Sequence, residues 1–514
     1  MARYGAFLYG TTKYGIGGSV TNPAIAIDID WVGDGQYHDE SANVTEFKIS
    51  RGKKSSISSN DYTNNSYGRL DITLNNQSRR YEFYYSQSAI YDYLIPNRRV
   101  RVRVSDGTNT YILFSGVLYD MIPQSIREIV RFEARDGIDF LTQTPAGLSD
   151  LQTDYAVSDA IVDLLDDAGW SYADTSGWTF NVTLGVDSFL GSTAIEQNED
   201  SMPYWWSDNN KSTMAAINDL ARAFSGHAFV ASDGTFSYNA RDYGNRSVFT
   251  LTDDDINIDS ELRQPWDEIR NIIRITGHPR VAQTSTDIWK LGDIPSIEAG
   301  DTLTIWADFE YEGRSAAAAT ITEPAATTDY TANAQSDGGG ADKTAQIDID
   351  ITEYAATAKL EITNNDAGTV YLTLMKLRGT LITDQNPTTV IAEDTDSQDD
   401  YGKRRFSLDT EWLQTADEIG YHADYANQIY ANPRKILWVK IINNPAYQFG
   451  ADLYDQIDVD STTWNIDDEY ILTYIEHEFR TRKIITTIRL EPSTGADDFW
   501  VFDTELGETS ILGW

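Results

Sequence analysis

The sequence predicts a mainly β protein with an α+β part and an inserted β-sandwich, and three observations carry this. Period-two alternation dominates residues 43–148 and returns beyond residue 436. Helical spacing is confined to a few windows. A run of turn-separated strands from about Gly300 to Thr383 interrupts a second β region. At 514 residues the chain exceeds what one hydrophobic core organises, so several domains are expected.

The first β domain, 43–148, follows an arm, 1–42. Strands are predicted at Thr45–Ser50, Arg69–Leu74, Val100–Val104, Tyr111–Tyr119 and Ile129–Ala134. Arg69-Leu70-Asp71-Ile72-Thr73-Leu74 places its apolar residues on one side, and Asn75-Asn76 supplies a turn. Arg99, Arg101 and Arg103 alternate with Val100, Val102 and Val104, so three guanidinium groups share one face and three valines the other. Asp106-Gly107 turns the chain into the next strand.

The period then changes in a small α+β domain, 149–262. Val157, Ile161, Leu164, Leu165 and Ala168 recur at helical spacing, with Ser158 or a neighbour as cap and Gly169 as stop. Ser212 precedes a second helix through Met214, Ile217, Leu220, Ala221 and Phe224, and Gly226 ends it before a hairpin turning at Asp233-Gly234.

A strand over Trp266–Thr276 opens the second β domain, 263–296 and 386–492, whose other strands follow the insert, 297–385. Insert strands are expected at Thr302–Phe309, Ala345–Ile351, Ala358–Thr363 and Val370–Leu377, a spacing that suits a sandwich. The Ala-rich stretch Ser315–Thr320 and the Thr/Asp-rich stretch Asp384–Asp400 have the composition of exposed linkers. Beyond them come a strand at Arg404–Leu408, a helix through Leu413, Ala416, Ile419, Ala423 and Ile429 ended by Asn432-Pro433, and strands at Ile436–Ile442, Gln456–Val459, Tyr470–Phe479 and Lys483–Leu490. Residues 493–514 form a tail with no assigned role.

Composition narrows the function classes. With no cysteine, the chain has no disulfide, thiolate metal site or cysteine nucleophile. Met1–Gly18 lacks the basic start and apolar core of a signal peptide, and no run of about 18 apolar residues suggests a membrane-spanning helix. Eighty acidic against 40 basic residues disfavour nonspecific binding to nucleic-acid phosphates.

Catalytic and metal motifs are equally sparse. His38, His227, His278, His422 and His477 stand on separate elements without metal-ligand spacing, and no nucleophile elbow, P-loop or zinc-protease string occurs. Neither a catalytic residue nor a cofactor is assigned. Asp28 to Gly35 is faintly similar to a calcium loop, but counting from Asp30 puts Val32 and Ser41 at ligand positions three and twelve, so a plain hairpin turn is expected. The carboxylate neighbours Asp166-Asp167 and Asp253-Asp254-Asp255 point apart on a helix or strand and do not make a glycosidase pair. Tyr204-Trp205-Trp206 reads as a core or interface anchor. In the insert, Trp306 and Tyr311 are the candidates for sugar contact.

Several segments together carry a family likeness. They are Tyr4-Gly5, Tyr9-Gly10 and Tyr14-Gly15; Gly68 to Asn76; Ser88-Ala89-Ile90-Tyr91; Pro96 to Arg103; Phe114-Ser115-Gly116; Ala156 to Ile161; the Ala216-to-Phe236 helix and hairpin; Tyr371 to Gly379; and Tyr401 to Arg404 with the helix and long hairpin that end at Arg489-Leu490-Glu491-Pro492. In these the sequence resembles the minor tail proteins of long-tailed bacteriophages (siphoviruses) that form the baseplate hub at the tail tip. Relatives often show Gly-Asp before a closing strand, where this chain has Gly450-Ala451-Asp452.

The resemblance implies that the two β domains are tube-like β-barrels, with the α+β domain between them. It further implies a homotrimer whose six barrels continue the tube's sixfold symmetry, with a structural and not an enzymatic role. Implied partners are distal tail or tail tube ring proteins, the tape-measure protein and tip or fibre proteins, with DNA passing through unbound. The implied location is the distal end of the virion tail, with assembly in the host cytoplasm. Arg99, Arg101 and Arg103 are interface candidates, expected to meet acidic residues of an adjacent ring. A ring built this way should have a net negative or neutral bore. The alternative reading is a carbohydrate-binding adhesin of the tail tip acting through the insert.

Overall fold

The computed structural model describes residues 23–54, 66–174, 177–180, 193–196, 200–241, 248–256, 259–311, 314–480 and 483–493. The Tyr-Gly repeats at 4–15 and the tail beyond Ser493 lie outside the described residues. Alternating Arg and Val make Arg99–Ser105 a strand with Val100, Val102 and Val104 buried and the arginines half-buried opposite. It pairs with Thr110–Gln124 across the Gly107 turn, where φ is 93°, and on its other edge with Ala24–Asp30.

From this pair a thirteen-stranded sheet grows among the described residues. Its order is His38–Asp39, Ala24–Asp30, Arg99–Ser105, Thr110–Gln124, Ile129–Arg135, Arg69–Asn75, Val44–Gly52, Ile466–Arg480, Lys483–Pro492, Ile436–Ile442 and Glu261–Arg263. Gln456–Ser461 and Thr250–Thr252 extend it off this path. The first β region and residues 436–492 of the second therefore belong to one sheet. They join where Phe47–Gly52 runs antiparallel to Tyr474–Phe479. One straight row of partners, Phe132, Ile72, Phe47, Phe479 and Ile484, crosses that seam. The Phe47 and Phe479 rings stack at 5.3 Å. Gly52, at φ 83°, sits against the Thr473 carbonyl, where any side chain would collide.

The pairing closes neither β region into a barrel among the described residues, because Val44–Gly52 gives its second edge to Ile466–Arg480. The sheet ends instead at two short edges, His38–Asp39 and Glu261–Arg263, which leave little unpaired backbone exposed.

Three principal helices pack together beside the sheet. Val157–Asp167 buries Val157, Ile161, Leu164 and Leu165, as the spacing predicts, but its cap residue is Ala156, without a side-chain bond. Thr213–Ala223 is capped by Ser212, whose hydroxyl accepts from the Ala215 amide. Ala416–Tyr430 begins with a capping box of Thr415 and Glu418. Its apolar face covers a three-stranded sheet in which Ile272–Gly277 lies between Thr388–Glu393 and Arg405–Thr410. The predicted strand Trp266–Thr276 is thus shorter, its start being a 3₁₀ turn, Trp266–Glu268.

The insert is two sheets around one core. Val370–Asp384 pairs with Arg280–Ala282, Thr286–Lys290, Ser296–Ile297, Ala317–Thr322 and Tyr330–Asn333. Thr302–Asp308, Thr357–Asn364 and Ile347–Glu353 form the facing sheet, with Leu360, Ile362, Leu372, Met375 and Leu377 between the two. Two linker expectations are corrected here. The Ala-rich stretch is largely the strand Ala317–Thr322, with Ala316, Ala317 and Ala318 buried, since small side chains let it lie close to its neighbours. The Thr/Asp-rich stretch holds the strand Thr388–Glu393 and the helix Thr395–Tyr401, which Asp394 caps through the Ser397 amide.

Candidate functional site

Strand register sets the arginine row directly opposite acidic residues of its own chain. Arg99 lies across from Asp30 and Arg101 from Asp28. The Nε groups of Arg101 and Arg103 both donate to Asp28 Oδ2, at 2.9 and 2.6 Å. Arg101 also covers the Tyr37 ring at 4.0 Å. Burial raises the Tyr37 hydroxyl pKa, although Arg99 and Arg101 oppose the shift. The acidic partner expected from an adjacent ring is therefore supplied for two of the three arginines by Asp28. Because both arginines stay partly hydrated, Asp28→Asn is expected to cost only about 1 kcal/mol, read from urea unfolding midpoints.

The turn at Asp30 is a hairpin held by its own backbone. The carboxylate accepts from the amides of Gly33, Asp34 and Gly35, which ties up both oxygens. The Asp253 carboxylate likewise takes Ser461, Thr462 and Thr463, and these bonds hold its pKa down at about 2. His227, His422 and His477 are enclosed, and burial depresses each pKa to about 3. His278 bonds Asp409 at 2.7 Å. Among the described residues, no three metal-ligating side chains cluster, and no helix is long and apolar enough to cross a membrane.

On the insert, Trp306 is 49% exposed and stacks on Tyr354 at 6.0 Å. Tyr311 is also exposed, on the short strand Glu310–Tyr311. The ring partner of Trp306 is Tyr354, a residue that the sequence did not single out.

The contact that seats the insert is likewise absent from the sequence reading. The Arg280 side chain, 2% exposed, lies between Trp206 and Trp412, 4.1 and 5.1 Å from their rings. It pairs with Asp384 at 3.2 Å and Glu411 at 3.1 Å, and donates to the Tyr204 carbonyl. Tyr204-Trp205-Trp206 thus anchors an internal interface, Trp205 stacking on Tyr155. Ala317, Ala355 and Ile382 of the insert pack there against Leu151, Tyr204 and Trp206.

The sequence also gives no hint of an apolar groove on the first β region, an open hollow of about 640 Å³ including space open to solvent. Buried Trp31 and Phe132 line it together with Leu94, Ile95, Pro96, Tyr119 and Met121. Ile95 and Tyr119 are 53% and 46% exposed, and nearby Ile122 is 52% exposed. Period-two reading places outward residues of Thr110–Gln124 in solvent, so an apolar outer face at its far end shows only once the fold is known.

No family model and no curated protein matches the chain. Among solved structures, it is similar to the 43 kDa tail protein of prophage MuSo2 from Shewanella oneidensis, with TM-score 0.47, 9% identity and coverage of 92% of this chain and 98% of that one. It is also similar to a tail protein from Neisseria meningitidis MC58, with TM-score 0.48, 8% identity, and 93% and 99% coverage. A third is prophage tail protein gp18 from Listeria monocytogenes EGD-e, with TM-score 0.42, 8% identity, and 92% and 96% coverage.

Proposed function

We propose that the chain is a structural tail tip (baseplate) hub protein of a tailed virus, forming a homotrimeric ring that closes or continues the tail tube. In this reading the β region 43–148 and the strands of 436–492 are the tube-like wall, and 149–262 braces them. The insert 297–385 projects. The ring meets tube proteins on one side and tape-measure and tip or fibre proteins on the other, and DNA passes without specific binding.

The observation that carries the reading is the single sheet that joins the first β region to residues 436–492 across the Phe47–Gly52 and Tyr474–Phe479 seam. A wall made of one hydrogen-bonded sheet presents two β units in fixed relative orientation, which a threefold ring needs in order to match a sixfold tube. The segments that resemble hub proteins lie on both sides of that seam. Native mass measurement of the purified chain and immunolabelling of virions test it: a trimer, labelled at the tail tip, is expected. A chain that stays monomeric and is absent from particles would end the reading.

A second reading, a tail-tip adhesin that binds carbohydrate, is favoured by one observation, the exposed Trp306 ring stacked on Tyr354. Flat exposed aromatics suit the apolar faces of sugar rings. Trp306→Ala in the full chain is expected to lower glycan-array binding at least tenfold with an unchanged melting temperature. Equal binding by the variant removes this reading.

A further inference from the structure

We infer that the outer face of the insert's three-stranded sheet binds an amine-bearing glycan, a chain of sugars with free ammonium groups, around Trp306. The inference rests on the adhesin reading above and names the sugar chemistry that this surface selects.

Strand register builds the face. Thr302–Asp308, Thr357–Asn364 and Ile347–Glu353 are paired so that Trp306, Lys359 and Thr352 stand in one row, and Thr304, Glu361 and Asp350 in the next. Residues directly opposite one another point to the same side of a sheet. Residues two apart on one strand do so as well, which adds Asp308 and Asp348. The intervening Ile305, Leu360 and Ile349 turn inward to the sandwich core. The outer side is therefore polar and open, with the half-exposed Trp306 ring on it.

Charge then selects the ligand. The insert, 297–385, carries 15 acidic against five basic side chains. On this face Lys359 is already held by Glu361 at 2.9 Å. Asp308, Asp348 and Asp350 are exposed and have no ion-pair partner among the described residues. The first β region, by contrast, neutralises its carboxylates: Asp28 meets Arg101 and Arg103, and Asp71 and Glu133 share Arg69. Three uncompensated carboxylates repel an acidic sugar and attract a cationic one. From Trp306, Asp308 is two residues along the strand, about 7 Å, and Glu361 is one strand across and two residues back, about 8 Å. A sugar ring seated on the indole thus has a carboxylate on either side. An ammonium there gains charge-assisted hydrogen bonds, and over the ring face a cation–π attraction as well. A neutral sugar stacks on the indole but leaves the carboxylates unmatched, so the ring supplies binding and the carboxylates supply selectivity.

The full-length chain is titrated calorimetrically with glucosamine oligomers, with N-acetylglucosamine oligomers of the same length, and with oligogalacturonate. The glucosamine oligomer is expected to bind at least tenfold tighter than its acetylated counterpart, with the acidic oligomer silent. That margin should shrink when NaCl rises from about 0.05 M to about 0.5 M. Asp308→Asn/Asp350→Asn should cut the ratio below threefold and leave affinity for the acetylated oligomer within twofold. Asp399→Asn/Asp400→Asn removes the same charge from an exposed helix outside the insert, and should leave the ratio unchanged. Trp306→Ala should weaken both glucosamine-based oligomers at least tenfold, and unchanged melting temperatures show that each variant is folded. Equal affinities for the two oligomers, both lost in Trp306→Ala, overturn the amine preference and leave the adhesin reading standing. A preference that survives Asp308→Asn/Asp350→Asn, or falls equally in Asp399→Asn/Asp400→Asn, belongs to the general acidity of the chain and also overturns the inference. Binding of neither oligomer overturns it as well, and the glycan array then decides whether the adhesin reading falls with it.

Discussion

Replacing Arg280 by Ala is expected to lower stability by roughly 3 kcal/mol and to make the insert separable from the rest of the chain by brief proteolysis. The guanidinium is enclosed by two indoles and two carboxylates, and burial lowers its pKa against the pull of Glu411 and Asp384. Removing it leaves a gap between Trp206 and Trp412 and deprives the Tyr204 carbonyl of a donor. The loss stays below the upper end for buried pairs because Asp384 and Glu411 both remain partly in water. Arg280→Lys keeps the charge but not the planar stack, and should recover less than half of the loss. Denaturant unfolding measures the first effect, and the appearance of an insert-sized fragment measures the second. An Arg280→Ala chain with unchanged midpoint and cleavage pattern would show that the insert is seated by the small apolar contacts of Ala317, Ala355 and Ile382 alone.

That contact also shows where sequence reading stops. Strands with side-chain alternation, such as Arg99–Ser105 and Ile129–Arg135, and capped amphipathic helices, such as Thr213–Ala223, were legible because local pattern dictates them. The strand Ala24–Asp30 carries the same alternation, yet its aspartates read as a surface turn. They are buried only because Arg101 and Arg103 meet Asp28, and the turn amides meet Asp30. Ala317–Thr322 was misread because alanines signal neither face of a strand. The pairing of Phe47 with Phe479 and the stacking of Trp206, Arg280 and Trp412 join residues with no local sign of one another. Local pattern therefore placed Arg99, Arg101 and Arg103 on the right strand, while the pairing of Arg101 and Arg103 with Asp28, the groove and the Arg280 contact required the tertiary path.

Folding stability is expected to fall as pH rises from about 5 to about 7, and Asp136→Asn should remove much of that slope. Asp136 is wholly buried beside the seam, where its carboxylate caps the helix Gly137–Gln143 through the Ile138 amide and accepts from Gly68 at 2.6 Å. Burial outweighs these bonds and the nearby Arg51, and pushes its pKa up to about 7, with Asp139 acting in the same sense. Asp455, close to Arg51 and Asp452, is raised to about 6, again chiefly by burial. In the unfolded chain both titrate near 4, so between that value and the folded pKa the folded state holds a proton that the unfolded state has lost. More protons bound in the folded state mean stability that declines with rising pH and levels off above the folded pKa. For Asp136, a slope of about 1.36 kcal/mol per pH unit that halves at the folded pKa gives about 2 kcal/mol between pH 5 and pH 7. Asn cannot ionise, so the variant should lose about that much less over the interval, even though its amide serves Gly68 poorly and lowers the acid plateau by about 1 kcal/mol. Urea unfolding of both chains at pH 5, 6, 7 and 8 measures the difference of slopes, which cancels the general repulsion of an acidic surface common to both. Parallel curves would mean that Asp136 is ionised in the folded chain and that its two backbone donors, with Arg51, outweigh its burial.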